Sequence, residues 1–102
     1  MNIAIIGFGA MGKKIKEIAE QRGHNISVII DPAWPQANHA YLTGDALNNV
    51  AVAIDFSSAD SVLSNVKIAV RAGVSIVIGA TGWLKDLPLI EKIGRESNIG
   101  LL

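Results

Sequence analysis

Short, mainly apolar runs recur along the chain, separated by longer segments that mix apolar and charged residues. The runs are residues 3–6, 26–30, 50–54, 75–78 and 99–102. Apolar runs of this length are typical of strands buried on both faces of a parallel sheet, whereas half-exposed strands alternate with polar residues. The pattern therefore predicts five buried strands, the first beginning close to the N-terminus.

Three segments between these runs have the apolar spacing of amphipathic helices. The first is predicted to begin at Ala10 and to end at Gly23, a residue type that suits the turn after a helix. The third is predicted to begin near Asp86, because Pro88 is tolerated only in a first helical turn.

The second predicted helix follows the segment Asp55-Phe56-Ser57 and ends at Gly73. Ser57, with Asp60 three residues later, resembles a capping box, so we expect Ser57 to cap this helix. The residues expected on the buried faces are Met11, Ile15, Ile18 and Ala19 in the first helix, Val62, Leu63, Val66, Ala69 and Val70 in the second, and Leu87, Ile90 and Ile93 in the third.

The segment between Pro32 and Asn49 has no clear period and is predicted to be a loop with one short helical turn at residues 45–47. Strands and helices otherwise alternate. The order predicts an α/β fold, a doubly wound parallel sheet of about five strands with helices on both faces. Folds of this class bind ligands at the carboxyl ends of the strands, where the strand order reverses.

Composition narrows the possible functions. The chain has 102 residues and a mass of 10.8 kDa, enough for one domain, 1–102. Nine basic residues balance nine acidic ones, which gives no reason to expect nucleic acid or membrane as a partner. The chain has no cysteine and two separated histidines, so no metal site and no catalytic residue is assigned. No secretory signal is present, and the cytoplasm is the expected location.

The segment after the first strand reads Gly-Phe-Gly-Ala-Met-Gly and matches the dinucleotide-binding fingerprint. Gly7 permits a tight turn, Gly9 permits a pyrophosphate to approach the backbone, and Gly12 permits the helix to pack closely on the strand. The alternative is a turn that binds nothing. The candidate cofactor-binding residues of this segment are Gly7, Phe8, Gly9, Ala10, Met11, Gly12 and the following Lys13.

Asp31 closes the second strand nineteen residues after Gly12, near the spacing expected for the acid that binds an adenosine ribose. Its charge would repel a 2′-phosphate, which favours NADH over NADPH. The alternative is a turn aspartate ahead of Pro32. Lys13 and Lys14 oppose the preference, since either is a candidate to pair with a 2′-phosphate.

Two further strand ends carry unusual residues. Phe56 and Ser57 follow the third strand, where a doubly wound fold holds the nicotinamide half of the cofactor. Gly79, Ala80 and Thr81 follow the fourth strand. The alternatives are a helix cap for Ser57 and a plain turn for residues 79–82.

Taken together, the segments at 5–12, 53–58 and 77–82 resemble the N-terminal domain of the 4-hydroxy-tetrahydrodipicolinate reductases, formerly dihydrodipicolinate reductases. The resemblance covers essentially the whole chain. It implies hydride transfer from NADH or NADPH to a cyclic unsaturated dicarboxylate in lysine and diaminopimelate biosynthesis. It also implies that residues 7–12 hold the pyrophosphate, Asp31 the adenosine ribose, Phe56 and Ser57 the nicotinamide ribose, and residues 79–81 the nicotinamide ring.

The sequence departs from this family in two ways. Many members have a glycine loop one residue longer, with Arg where this chain has Ala10, and Lys13 is a candidate to compensate. The family's substrate-binding domain, which also makes it tetrameric, would lie beyond Leu102. We therefore expect an inactive fragment that binds a nicotinamide cofactor and self-associates. The alternatives are a free-standing dinucleotide-binding or regulatory module, or the cofactor domain of a homoserine or aspartate dehydrogenase.

Overall fold

The computed structural model describes residues 1–79 and 87–97 of the chain. The strands are β1 (Asn2–Ile6), β2 (Asn25–Ile30), β3 (Val52–Asp55) and β4 (Ser75–Ile78). The helices are α1 (Ala10–Gln21), α2 (Ala59–Ala72) and α3 (Leu87–Ser97), and a 3-10 turn spans Asp45–Leu47. Each predicted element in the described ranges is present. The predicted fifth strand, 99–102, lies outside the described residues.

The four strands form one parallel sheet in the order β2-β1-β3-β4. From β1 the chain passes to one side to form β2, and then returns across β1 to form β3 and β4 on the other side. The carboxyl ends of β1 and β3 therefore flank a point where the strand order reverses. This arrangement confirms the predicted doubly wound fold.

Helices cover both faces of the sheet. Successive residues of a strand face opposite sides, so Ala4 and Ile5 mark the two faces. On one face α1 lies close to the strand: a Cβ atom built on Gly12 would lie 3.3 Å from the Ile5 Cγ2 atom. On the other face Val62 of α2 and Ile90 of α3 join Ala4 in the main core.

The buried face of α1 differs from the prediction. Ala19 is buried as predicted, but Met11 and Ile18 are 59% and 36% exposed, and the other buried residue of the helix is Gly12. Gly12 and Ala19 are seven residues apart and share one face, and their small size brings the helix axis close to the sheet. Met11 and Ile18 each precede one of them by a residue, about 100° around the helix, and so they point away from the contact.

The segment between β2 and β3 contributes to the core although it has little regular structure. Leu42, Leu47 and Val50 are buried in the main cluster, and the short turn at 45–47 is confirmed. The Val50 N–H donates to the Leu47 carbonyl at 3.1 Å, which places Val50 in a turn and delays the start of β3 to Val52. Within the described ranges, none of the helices combines the length and the apolar character that crossing a membrane requires.

Candidate functional site

A cleft of about 320 Å³ opens at the carboxyl ends of the strands. It brings together five of the predicted site residues: Gly7, Gly9, Asp31, Phe56 and Ser57. These residues come from the ends of β1, β2 and β3, as expected for a doubly wound sheet. The other predicted residues of the glycine-rich segment, which are Phe8, Ala10, Met11, Gly12 and Lys13, do not line the cleft.

Gly7 is required by both its conformation and its surroundings. Its φ of +87° lies in the region that side chains rarely adopt. A Cβ atom there would lie 2.7 Å from the Phe56 carbonyl carbon and 2.8 Å from the Ser57 nitrogen. The turn after β1 therefore packs directly against the loop after β3. Only glycine permits these two cleft-lining segments to meet.

Gly9 stands at the N-terminus of α1 and has open space beside it. A Cβ atom built on Gly9 would meet no atom within 4 Å, and the residue lines the cleft. No acidic side chain occupies the first turn of α1, and no side chain caps it. The first N–H groups of a helix lack partners within the helix and carry partial positive charge. The position thus fits a pyrophosphate, as the fingerprint predicts.

Gly12 has the third predicted glycine role. A Cβ atom on Gly12 would lie 2.7 Å from the Gly7 carbonyl oxygen and 3.3 Å from the Phe8 ring. The helix therefore packs against both the strand and the turn that precedes it. This contact fixes the N-terminus of α1 beside the cleft.

The Asp31 carboxylate is held by backbone N–H groups at the rim of the cleft. Phe8 N donates to Oδ2 at 2.6 Å, and Ala33 N donates to Oδ1 at 2.7 Å. The bonds from Phe8 and Ala33, with a weaker contribution from Trp34, lower the pKa of Asp31, and partial burial opposes them only in part. The residue is therefore a turn aspartate that also faces the cleft as an anion. Each oxygen keeps a lone pair for a ligand.

An aromatic cluster supports this rim from outside the cleft. The Phe8 and Trp34 rings lie 5.4 Å apart at 58°, in a tilted arrangement. The Lys13 ammonium lies 4.5 Å from the centroid of the Trp34 ring, a distance typical of a cation–π contact. Lys13 thus brings a positive charge close to the turn that follows Asp31. Phe8 itself is buried, and its contact with Asp31 is made by the backbone N–H and not by the ring.

Ser57 does not cap α2, contrary to the sequence prediction. The N-cap position belongs to Ser58, whose side chain makes no capping bond to the backbone. Ser57 instead donates from both its N–H, at 2.8 Å, and its hydroxyl, at 2.5 Å, to Oδ1 of Asp55. Asp55 is fully buried, so its carboxylate needs hydrogen-bond donors close by. The Ser57 hydroxyl therefore bonds to this carboxylate and not to the backbone at the start of α2.

Asn65 completes the network and was not singled out from the sequence. Its amide nitrogen donates to Oδ2 of Asp55 at 3.0 Å and to the Ser57 hydroxyl at 3.2 Å. A signal was available, because Asn65 follows Val62 by three residues and so falls on the buried face of α2. A polar side chain there needs a buried partner. The network fixes the loop after β3 against α2, with Ser57 and Asn65 in the cleft wall.

Phe56 joins this loop to the end of β4. A Cβ atom on Gly79 would lie 2.5 Å from the Phe56 Cδ1 atom and overlap the ring edge. The Gly79 N–H donates to the Asp55 carbonyl at 2.8 Å, so β4 and β3 end side by side. Gly79 is therefore placed next to the predicted residue Phe56. Ala80 and Thr81 lie outside the described residues.

Residues 1–102 match the family described as dihydrodipicolinate reductase, N-terminus. The chain belongs to this family. The chain is 34% identical over 100 residues to the 4-hydroxy-tetrahydrodipicolinate reductase of Christiangramia forsetii, with 96% of this chain and 38% of that protein covered. It is 33% identical over 102 residues to the Staphylococcus haemolyticus enzyme of the same name, covering 96% and 40%. The chain thus spans about two fifths of these relatives.

Solved structures share the fold of this chain. A probable dehydrogenase from Thermotoga maritima superposes with a TM-score of 0.82 at 16% identity, covering 100% of this chain and 35% of that one. A hyperthermophilic archaeal homoserine dehydrogenase in complex with NADPH superposes with a TM-score of 0.78 at 18% identity, covering 99% of this chain and 42% of that one. Both solved structures therefore share the doubly wound fold of this chain. Over the described ranges, no three His, Asp or Glu residues are grouped to hold a metal ion.

Proposed function

We propose that this chain is the cofactor-binding domain of a 4-hydroxy-tetrahydrodipicolinate reductase of lysine and diaminopimelate biosynthesis, and that its cleft binds NADH. One observation carries the proposal. The glycine-rich turn donates a hydrogen bond to Asp31 while Gly9 leaves open space at the N-terminus of α1. A single cleft thus presents an anion site and a ribose acceptor, the two features that recognise a dinucleotide.

Each part of the cofactor has a counterpart along the strand ends. The pyrophosphate lies over Gly9, and the adenosine ribose donates its hydroxyls to Asp31. The nicotinamide half lies towards Phe56, Ser57 and Gly79, and Ala80 and Thr81 remain assigned to it from the sequence. The bound cofactor supplies the hydride. The residues of this chain bind and orient the cofactor, and none of them is assigned a chemical step.

The charge on Asp31 supports NADH over NADPH. The lowered pKa keeps this carboxylate ionised at neutral pH, and a 2′-phosphate placed beside it meets a like charge. Repulsion between two unit charges 4 Å apart is about 1 kcal/mol in water and about 4 kcal/mol near a protein surface. Lys13, over the Trp34 ring, offsets part of this cost. We therefore propose a preference for NADH without exclusion of NADPH.

The substrate site belongs to a second domain under this proposal. The matched relatives are more than twice as long as the aligned region, and the proton donor and the tetramer contacts are assigned to that remainder. This chain by itself binds cofactor in the cytoplasm and does not turn over substrate. Substrate reduction by the purified chain at the rate of an intact reductase would contradict this assignment.

Calorimetric titration with NADH and with NADPH tests the proposal. The 102-residue chain is expected to bind both, NADH more tightly. Asp31→Asn is expected to weaken NADH binding by about tenfold, because hydrogen bonds to a charged group contribute about 1.5–3 kcal/mol. The same substitution is expected to reduce the preference for NADH over NADPH.

Lys13→Met is the matched control at the same rim, with the opposite charge removed. This substitution is expected to weaken the binding of NADPH by a few-fold and to leave the affinity for NADH unchanged. Failure of the unaltered chain to bind either cofactor would overturn the proposal.

A further inference from the structure

Tyr41 is an exposed aromatic residue at the cleft that folding does not explain. Its side chain is 74% exposed, and yet it lines the same cleft as Gly9 and Asp31. It makes no hydrogen bond or ring contact with any residue in the described ranges. Burial therefore gives no reason for an aromatic side chain at this position.

The backbone that carries Tyr41 is fixed beside the end of β2. The Asp31 N–H donates to the His39 carbonyl at 3.0 Å. One residue earlier, the Asn38 side-chain oxygen accepts from Ile29 N at 2.7 Å, and Asn38 N donates to the Ile29 carbonyl at 2.9 Å. Leu42, the next residue after Tyr41, is buried in the core. Tyr41 is thus held between two anchors, one of which is bonded to Asp31 itself.

The chemistry of the cleft indicates what lies against this ring. In a dinucleotide the pyrophosphate leaves the ribose at the 5′ position and the base leaves it at the 1′ position, on the other side of the sugar. With the pyrophosphate at Gly9 and the ribose at Asp31, the base extends to the remaining walls. Tyr41, Ser58 and Ser61 are among the remaining residues that line the cleft. These side chains are uncharged, as suits a neutral heterocycle.

We propose that Tyr41 stacks on the adenine base of the dinucleotide and thereby positions the adenosine half of the cofactor. This inference rests on the proposed cofactor function of the cleft and adds a residue to it. A flat aromatic ring on a fixed backbone loses little conformational freedom when it stacks. The exposed ring of Tyr41 is then the surface on which the base stacks when the cofactor binds.

Binding of ADP-ribose, which keeps the adenosine and the pyrophosphate and lacks the nicotinamide ring, tests this assignment in the 102-residue chain. Tyr41→Phe keeps the ring and is expected to bind within about twofold of the unaltered chain. Tyr41→Leu keeps apolar area without a ring, and we expect it to bind about tenfold more weakly, as does Tyr41→Ala, because stacking on a base contributes at this level. Leu89→Ala removes an exposed apolar side chain from α3 and serves as the unaffected control.

A spectroscopic readout separates stacking from a general change in affinity. The fluorescence of etheno-ADP-ribose is expected to be quenched on saturation of the unaltered chain and of Tyr41→Phe, but not of Tyr41→Leu. Equal ADP-ribose affinity in the unaltered chain and Tyr41→Leu would overturn the role of Tyr41 and leave the cofactor function standing. Absence of both ADP-ribose and NADH binding to the unaltered chain would overturn both.

Discussion

The backbone N–H of Phe8 donates a hydrogen bond of 2.6 Å to the carboxylate of Asp31. The two residues belong to different strand ends, so the bond ties the glycine-rich turn after β1 to the end of β2. A second bond from Ala33 holds the other oxygen. The candidate ribose acceptor is therefore oriented by the protein itself before a cofactor arrives, which reduces the cost of ordering it on binding.

This arrangement predicts an acid-sensitive contribution to stability. The pKa of Asp31 is below its ordinary value of 3.8 in the folded chain. The unfolded chain therefore takes up this proton first as the pH falls. The contribution of Asp31 is fully present above the unfolded pKa and is lost as the pH falls through the folded pKa.

Urea denaturation of the unaltered chain and of Asp31→Asn between about pH 6 and pH 2.5 measures this contribution. We expect Asp31→Asn to be the less stable chain at the upper end and the difference to shrink at the acid end. A difference independent of pH would contradict the assignment.

The contact between Gly7 and the loop after β3 predicts a large loss of stability for Gly7→Ala. The positive φ costs about 1–2 kcal/mol, and crowding against the Phe56 backbone adds about 1–3 kcal/mol. Gly23→Ala isolates the first effect, because Gly23 has a φ of +83° and open space around it. Thermal or urea unfolding is expected to show Gly7→Ala as the less stable variant. Equal losses would mean that the two segments are not in contact.

Gly9→Ala has the opposite expected signature. A Cβ atom there meets nothing within 4 Å, so the free energy of unfolding should fall only by about 0.5–1 kcal/mol, the cost of alanine as a poorer N-cap residue than glycine. The new methyl group occupies the space assigned to the pyrophosphate, and NADH binding is expected to weaken by about tenfold or more. Unfolding and calorimetry on the same sample check both parts. Unchanged NADH affinity would place the pyrophosphate elsewhere.

The buried network around Asp55 predicts a coupled pair. The Asp55 carboxylate accepts three hydrogen bonds, two from Ser57 and one from Asn65. Asp55→Asn replaces one of its oxygens with an NH2 group that cannot accept, and we expect this change to cost about 2–3 kcal/mol of stability. Asn65→Asp in the same chain returns an acceptor to the network and should recover part of the loss. A double-mutant cycle by urea denaturation measures the coupling, expected to be about 1 kcal/mol or more. Additive losses would contradict the network.

The fold was predictable because its signals are local. Apolar runs such as 3–6 and 75–78, each followed by a turn or a helical period, determine both the elements and their parallel arrangement. The glycine spacing also predicted which turn would border the cleft. Gly7 and Gly12 have the contacts that their positions in the fingerprint require.

What the sequence missed depends on which distant residues meet. Ser57 has the local pattern of a helix cap, but the buried Asp55 takes its hydroxyl, and burial of Asp55 is decided by the packing of α2 on the sheet. The exposure of Met11 likewise follows from the small residues that bring α1 close to the sheet. Tyr41 lies in a segment without periodicity, and only the bonds that link 38–39 to β2 place it at the cleft.

Binding of NADH in this cleft is tested most directly by amide chemical shifts of the labelled chain during a titration with NADH at neutral pH. The account predicts saturable shifts concentrated at Gly7, Gly9 and Gly12, at Asp31 and Ala33, and at Ser57, with little change at the far ends of the strands such as Asn2 and Asn25. Saturation with shifts confined to another surface, or no shifts at millimolar NADH, would contradict it.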